Sequence, residues 1–86
     1  MRQEISTWPD TLTQLHPNPV TNILNIENEE NFTKINIYNT LGQIVYSADI
    51  NPGKSSSVNI AQLPEGYYVA ELSGNGIKAT KKILKN

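Results

Sequence analysis

Few side chains in this sequence have the chemistry of a catalytic or metal site. The 86 residues contain no cysteine and one histidine, His16, which excludes thiolate metal sites, histidine-rich metal sites and two-histidine relays. Residues 55–57 are serines after a turn and lack the strand-to-helix elbow of a nucleophilic serine. Glu29 and Glu30 lie in a polar turn, and nothing places them across a cleft as an acid and base pair. We therefore expect no enzymatic activity, no metal, no cofactor and no small-molecule substrate.

The distribution of charge is more informative than the reactive residues. Residues 1–72 contain three basic and eight acidic side chains, whereas residues 73–86 contain four lysines and no acid. These lysines are Lys78, Lys81, Lys82 and Lys85. Lysines on an edge strand commonly block aggregation, and the same stripe can be a surface that a partner recognises. The formal net charge of −1 argues against a nucleic-acid partner.

The segments that position these lysines are predicted to be strands. Apolar and polar residues alternate with a period of two, and no helical period is present. The inward residues that this alternation predicts are Leu24, Ile26, Ile35, Ile37, Val58, Ile60, Tyr68, Ala70 and Leu72. In residues 43–48 the inward face is ambiguous, because either Val45 alone or Ile44, Tyr46 and Ala48 together fit the pattern. Residues 77–84 are predicted to form the final strand.

Turn residues separate the predicted strands. Residues 39–42 indicate a tight turn with Gly42 in the left-handed conformation, and residues 51–54 and 73–76 indicate two more. Pro17-Asn18-Pro19 favours a rigid extended or turn conformation in which Asn18 bonds its own backbone. Six or seven short strands at a spacing of about 8–12 residues predict an all-β fold, an immunoglobulin-like antiparallel β-sandwich of about seven strands.

A corner at residues 63–68 precedes the strand that is expected to hold the core. Leu63 is apolar, Pro64 ends the preceding element, and Gly66 tolerates the positive φ that sharp corners need. Tyr68 then enters a strand directly after the corner, as in the tyrosine corner of immunoglobulin-like sandwiches. In that arrangement the ring packs inward and the hydroxyl bonds a backbone group upstream.

The organisation predicted from the sequence is one domain with a short extension. Residues 1–13 show no clear period and are interpreted as a linker or tail of an upstream polypeptide, and residues 14–86 as the domain. No apolar run approaches the roughly 18–20 residues of a membrane span. Met1 to Glu4 are not followed by the apolar core of a signal peptide, and we expect none within these residues.

Four motifs in a fixed order resemble one bacterial family. They are Pro17-Asn18-Pro19 before a short Leu/Ile strand, residues 37–45 (IYNTLGQIV), residues 63–68 (LPEGYY) and the lysine-rich residues 81–85 (KKILK). Over residues 14–86 the chain resembles the type A C-terminal sorting domain of the type IX (Por) secretion system of Bacteroidetes. The matching positions are Pro17, Asn18, Pro19, Gly42, Leu63, Gly66, Tyr68, Lys81 and Lys82. His16 departs from the family, which usually has tyrosine or phenylalanine there.

The resemblance implies a sorting signal at the C-terminus of a larger secreted protein. Such a domain folds in the periplasm as an immunoglobulin-like sandwich, and the outer-membrane translocon recognises it and passes the cargo across. In many members a sortase-like surface peptidase removes the domain, and the cargo is joined to an anionic lipopolysaccharide or released. The implied cleavage position here is before Leu15. The implied localisation is the periplasm in transit, followed by the cell surface or the medium.

The expected recognition surface is the final strand, since it combines free backbone groups with a basic stripe. We expect Lys78, Lys81, Lys82 and Lys85, with the backbone of residues 77–84, to contact the translocon. An exposed edge strand is also a route to a weak homodimer. The alternative function is a fibronectin type III-like adhesion module that uses outward tyrosines. A third possible function is that of a spacer domain without a partner. The tyrosines for the adhesion module are Tyr38, Tyr46 and Tyr67.

Overall fold

The computed structural model describes residues 13–86, which form seven strands and no helix. The absence of a helix between residues 13 and 86 agrees with the strand-like alternation of the sequence. The strands are β1 (Gln14–His16), β2 (Ile23–Glu27), β3 (Lys34–Tyr38), β4 (Ile44–Asp49), β5 (Ser55–Asn59), β6 (Gly66–Gly74) and β7 (Ile77–Lys85). Six of these correspond to predicted strands, and β1, for which no strand was predicted, directly precedes Pro17-Asn18-Pro19.

Two antiparallel sheets share one apolar core. One sheet has the strand order β1-β2-β5 and the other has the order β4-β3-β6-β7. All named strand pairs are antiparallel. The inward side chains of both sheets form a single cluster of buried residues. The prediction of an immunoglobulin-like sandwich of about seven strands is confirmed.

The predicted inward residues are buried, and the ambiguity in β4 has a structural cause. All nine residues predicted to face inward are less than one-tenth exposed. In β4 the register shifts, so that Ile44 lies opposite Tyr38 while Tyr46 lies opposite Ile37. The extra residue between them is Val45, as in a β-bulge. Because the bulge breaks the alternation, Val45, Tyr46 and Ala48 all pack against the core.

The corner before β6 has the predicted geometry. The Tyr68 ring is 7% exposed, and its hydroxyl donates a 2.6 Å hydrogen bond to the carbonyl of Pro64. Gly66 has a φ of 145°, a conformation that favours glycine. The other predicted turn glycine, Gly42, has a φ of 82° and donates its N–H to the carbonyl of Asn39 at 3.0 Å. Local turn chemistry therefore determines the backbone conformation at both glycines.

The polar stretch after β2 is more tightly held than its composition indicated. Asn28 is 2% exposed, and its Nδ2 donates to the carbonyls of Phe32 at 2.8 Å and Asn51 at 3.0 Å. Phe32 is itself buried and joins the core. A buried amide that links two loops replaces the flexible acidic turn expected from the sequence. The loop is ordered by packing and hydrogen bonds between residues distant in the chain.

Candidate functional site

The final strand β7 is an edge of the four-stranded sheet. It pairs with β6 along its whole length, from Gly74 opposite Ile77 to Gly66 opposite Lys85. A two-residue turn, Asn75 and Gly76, connects the strands and matches the predicted hairpin. Since only one side of β7 is paired with a neighbouring strand, its outer side presents backbone N–H and C=O groups in a row.

The Pro17-Asn18-Pro19 segment covers the C-terminal half of that outer edge. Asn18 Nδ2 donates to the carbonyl of Lys82 at 3.1 Å, and Asn18 Oδ1 accepts the N–H of Leu84 at 3.0 Å. The amide thus pairs with β7 as a backbone unit would, and it does not bond its own backbone as the sequence indicated. The peptide bonds before Pro17 and Pro19 are both cis.

Val20 continues this cover toward the end of the chain. It forms a parallel bridge with Lys85, in which its N–H donates to Leu84 and its carbonyl accepts from Asn86, both at 2.8 Å. Two motifs that lie 66 positions apart in the sequence are therefore parts of one structural unit. The sequence identified both motifs but contained no signal that they touch.

The N-terminal half of the edge has no pairing partner among residues 13–86 and is called the open half. Along an antiparallel strand, consecutive residues direct their backbone groups to opposite sides. The Lys82 carbonyl and the Leu84 N–H bond Asn18 at the free edge of β7. The N–H and C=O groups of Lys78 and Thr80 are therefore directed to the same free edge. Within residues 13–86 no backbone group pairs with them. This open half is the unprotected part of the strand.

The four lysines of β7 do not share a face. Lys78 and Lys82 point outward, away from the core, while Lys81 and Lys85 alternate with them on the inward side. The inward assignment follows because Ile83, which lies between Lys81 and Lys85, is 2% exposed. The period-two rule applied to β7 alone predicts this division, so the single basic stripe expected from the charge count consists of two pairs.

Each lysine has a different environment. The Lys78 ammonium lies 3.6 Å from the Glu71 carboxylate, with the lysine side chain 65% exposed. Lys85 is 5% exposed, and its Nζ donates to the carbonyl of Asn86 at 2.8 Å. Lys81 is half-buried opposite Ala70. Lys82 is exposed, and no carboxylate pairs with it in the described part of the chain.

Glu71 is the centre of a polar network on the outward face. Its Oε1 accepts a hydrogen bond from the Tyr38 hydroxyl at 3.1 Å and a longer one from Asn36 Nδ2 at 3.5 Å. Desolvation by burial raises the pKa of Tyr38, and the hydrogen bond to Glu71 and its negative charge raise it further. The network continues to β4, where Ser47 Oγ donates to Asn36 Oδ1 at 2.7 Å. This face is therefore hydrogen-bonded internally across three strands.

His16 lies at the surface, in contact with Glu27 rather than in a cleft. Its Nε2 is 2.8 Å from Glu27 Oε2, and the two side chains are 48% and 44% exposed. Over residues 13–86, no three histidine, cysteine, aspartate or glutamate side chains are grouped to hold a metal. The linker predicted for residues 1–13 lies outside the described residues except for Thr13. None of the described residues forms a helix that could cross a membrane.

The tyrosines required by the adhesion alternative do not form a shared platform. Tyr46 lies on the inward side of β4 and packs against the core. Tyr38 is engaged with Glu71, and Tyr67 lies on a different strand with 65% of its surface exposed. The structure gives the fibronectin type III-like alternative no support.

Comparison with known families agrees with this architecture. The family model described as a secretion system C-terminal sorting domain matches residues 14–86, which include all seven described strands. No curated protein matches the chain. Domains of this family are non-catalytic signals on proteins that are exported to the cell surface or secreted. The chain therefore belongs to the C-terminal sorting domains of the type IX (Por) secretion system, and it is a sorting signal for secretion.

Proposed function

We propose that this chain is a type A sorting domain from a member of the Bacteroidetes. The domain folds in the periplasm, the translocon recognises it there, and a sortase-like surface peptidase then cleaves before Leu15. The cargo is joined to an anionic lipopolysaccharide or released. The motif set in residues 17–19, 37–45, 63–68 and 81–85 supports this finer assignment.

We propose further that residues 1–13 connect the domain to its cargo and that the domain has no catalytic activity of its own. The role of the family as a signal supports the second point. The surface location of His16 is consistent with it, because a catalytic base is usually held in a cleft beside its substrate.

The proposed recognition element is the final strand β7, with Lys78, Lys81, Lys82 and Lys85. The observation that carries this proposal is the open half of its edge, where Lys78 and Thr80 direct unpaired backbone groups outward beside exposed lysines. A partner can add a strand at such an edge, with backbone bonds providing affinity and side chains providing specificity. The same open half is where we propose that two copies pair weakly.

The sorting function is tested by transplanting the chain. The complete 86-residue chain is fused to the C-terminus of a periplasmic reporter and expressed in a type IX-competent host and in an isogenic strain without the translocon. We expect extracellular reporter only in the competent strain. Reporter without the chain is the control and remains periplasmic in both strains. Retention of the fusion in the competent strain would contradict the proposal.

A further inference from the structure

An apolar groove lies on the outward face of the four-stranded sheet, next to the corner. Its volume is about 420 Å³. It is lined by Asn39, Thr40, Tyr67, Tyr68, Val69 and Lys82. These residues come from the β3–β4 hairpin and from the two strands β6 and β7. The groove is therefore formed where the hairpin, the corner and the final strand meet.

The register of the sheet extends the groove into a stripe. Ile44, Tyr38 and Val69 lie opposite one another on β4, β3 and β6, and Lys82 follows on β7. Ile44 is 56% exposed and Tyr67, which lies next along β6 on the same face, is 65% exposed. Apolar side chains exposed together in this way are characteristic of interaction sites. The stripe ends at a cation.

The Asn39 amide, which lines the groove, is committed to the fold. Asn39 Oδ1 accepts the N–H groups of Leu41 and Gln43, and its Nδ2 donates to Gln43 Oε1 at 2.9 Å. Thr40 and Tyr67 contribute hydroxyls, but the walls of the groove are mainly apolar. An apolar side chain therefore suits these walls better than a sugar, which requires several directional polar partners.

Lys82 supplies the uncompensated charge at this site. Lys78 already pairs with Glu71, and Lys85 is buried with its Nζ on the carbonyl of Asn86. Among the lysines of β7, Lys82 is the one that is both exposed and next to the groove. Charge complementarity thus requires a carboxylate on the occupant, beside the apolar group that fills the groove.

We propose that the groove binds an extended, acidic protein segment of the secretion machinery. One apolar side chain of that segment packs against Tyr67 and Val69, and a neighbouring carboxylate pairs with the Lys82 ammonium. The proposal rests on the sorting function above and narrows it. Of the four lysines of the final strand, Lys82 is the one that determines specificity in this proposal. Tyr67 is a further residue that contacts the partner.

Binding is measured by amide chemical-shift titration of the complete labelled chain with two blocked pentapeptides that differ only in charge, acetyl-GDFDG-amide and acetyl-GKFKG-amide. We expect the acidic peptide to shift the amides of Tyr67, Val69 and Lys82, and the basic peptide to leave them unchanged. Lys82→Gln and Tyr67→Ser should each lower the affinity for the acidic peptide by about tenfold, because a charged contact or a stacked ring is lost. Lys54→Gln, at an exposed lysine outside β7, is the matched control and should bind as the wild type does.

The same variants are then compared as reporter fusions in the type IX-competent host. We expect Lys82→Gln and Tyr67→Ser to lower the extracellular reporter and Lys54→Gln to leave it unchanged. Equal shifts with both peptides, or no shift at the groove, would overturn the inference. Wild-type secretion of the Lys82→Gln and Tyr67→Ser fusions would also overturn it while leaving the sorting function intact. Retention of the wild-type fusion would overturn the sorting function itself, and with it this partner.

Discussion

Two neighbouring strands of the same sheet, β6 and β7, have opposite compositions. In β6 the inward residues Tyr68, Ala70 and Leu72 are all buried, and the corner before it satisfies the tyrosine hydroxyl. In β7 only Ile83 is a buried apolar residue of the core, and every charged residue is a lysine. The strands pair residue by residue, so their environments differ by side chain and edge position alone.

We propose that the buried side of β6 stabilises the fold and that the outward side of β7 serves recognition. Burial in β6 contributes to the free energy of folding, because apolar surface is removed from water. The outward side of β7 contributes little to that free energy, since exposed charges interact weakly with their neighbours. Substitutions on the inward side of β6 should therefore change the free energy of unfolding, and those on the outward side of β7 should change secretion without changing the fold. The predictions below test this separation, from the largest expected effect to the smallest.

The largest effect is expected at Tyr68. Replacing it by alanine in Tyr68→Ala removes a buried ring and should lower the free energy of unfolding by about 3–5 kcal/mol. Urea or thermal denaturation of the complete chain followed by circular dichroism measures this change. A domain of this size has little stability to spare, so we expect a large fraction of the variant to be unfolded.

The adjacent Tyr67 provides a matched control. It has the same side chain on the outward face and is 65% exposed. Tyr67→Ala should change the free energy of unfolding by no more than about 0.5 kcal/mol. Equal destabilisation by Tyr67→Ala and Tyr68→Ala would contradict the placement of Tyr68 in the core. Tyr68→Phe isolates the hydroxyl bond to Pro64, which should contribute about 1 kcal/mol.

A smaller effect is expected at the cover of the β7 edge. Asn18→Ala removes the bonds to Lys82 and Leu84 and should cost about 1–2 kcal/mol. Hydrogen exchange should show faster exchange of the Leu84 amide. Asn25→Ala is the control, because Asn25 accepts one bond from Ser57 Oγ on the surface of the other sheet. If Asn18→Ala left Leu84 as protected as Asn25→Ala does, the proposed cover would be wrong.

The smallest effect concerns Tyr38 at high pH. Burial and Glu71 raise its folded-state pKa above the ordinary value of 10.0, so the folded chain holds this proton more tightly than the unfolded chain. The resulting stabilisation is complete below pH 10.0 and is lost as the pH rises through the folded-state pKa. A tyrosinate absorbance titration, with Tyr38→Phe subtracted, measures that pKa. Glu71→Gln should lower it, and an unchanged titration would refute the contribution of Glu71.

Much of the sandwich could be predicted because its signals are local. The alternation of Ile35 with Ile37, the turn at Gly42 and the corner at Tyr68 each depend on a few adjacent residues. The sequence could not indicate that Asn18 accepts the N–H of Leu84, because that hydrogen bond depends on how the two sheets pack together. The same holds for Asn28, whose burial requires the carbonyls of two loops.

The sequence outlines the proposed recognition surface only in part. Counting charge locates the lysines of β7, and the period-two alternation of this strand assigns Lys78 and Lys82 to one face and Lys81 and Lys85 to the other. The groove beside Tyr67 has no local signal, since it requires the register between β3, β6 and β7. The bulge at Val45 likewise depends on the register of β4 with β3.

The central claim is that the outward side of β7 carries the signal and not the fold. The most direct measurement is the extracellular fraction of a reporter fused to the Lys78→Glu/Lys82→Glu double variant, with folding checked by circular dichroism. Lys34→Glu/Lys54→Glu is the matched control, since both residues are exposed lysines outside β7. We expect the β7 variant to fold as the wild type does and to remain in the periplasm, and the control to be secreted. Secretion of the folded β7 variant at the wild-type level would contradict the claim.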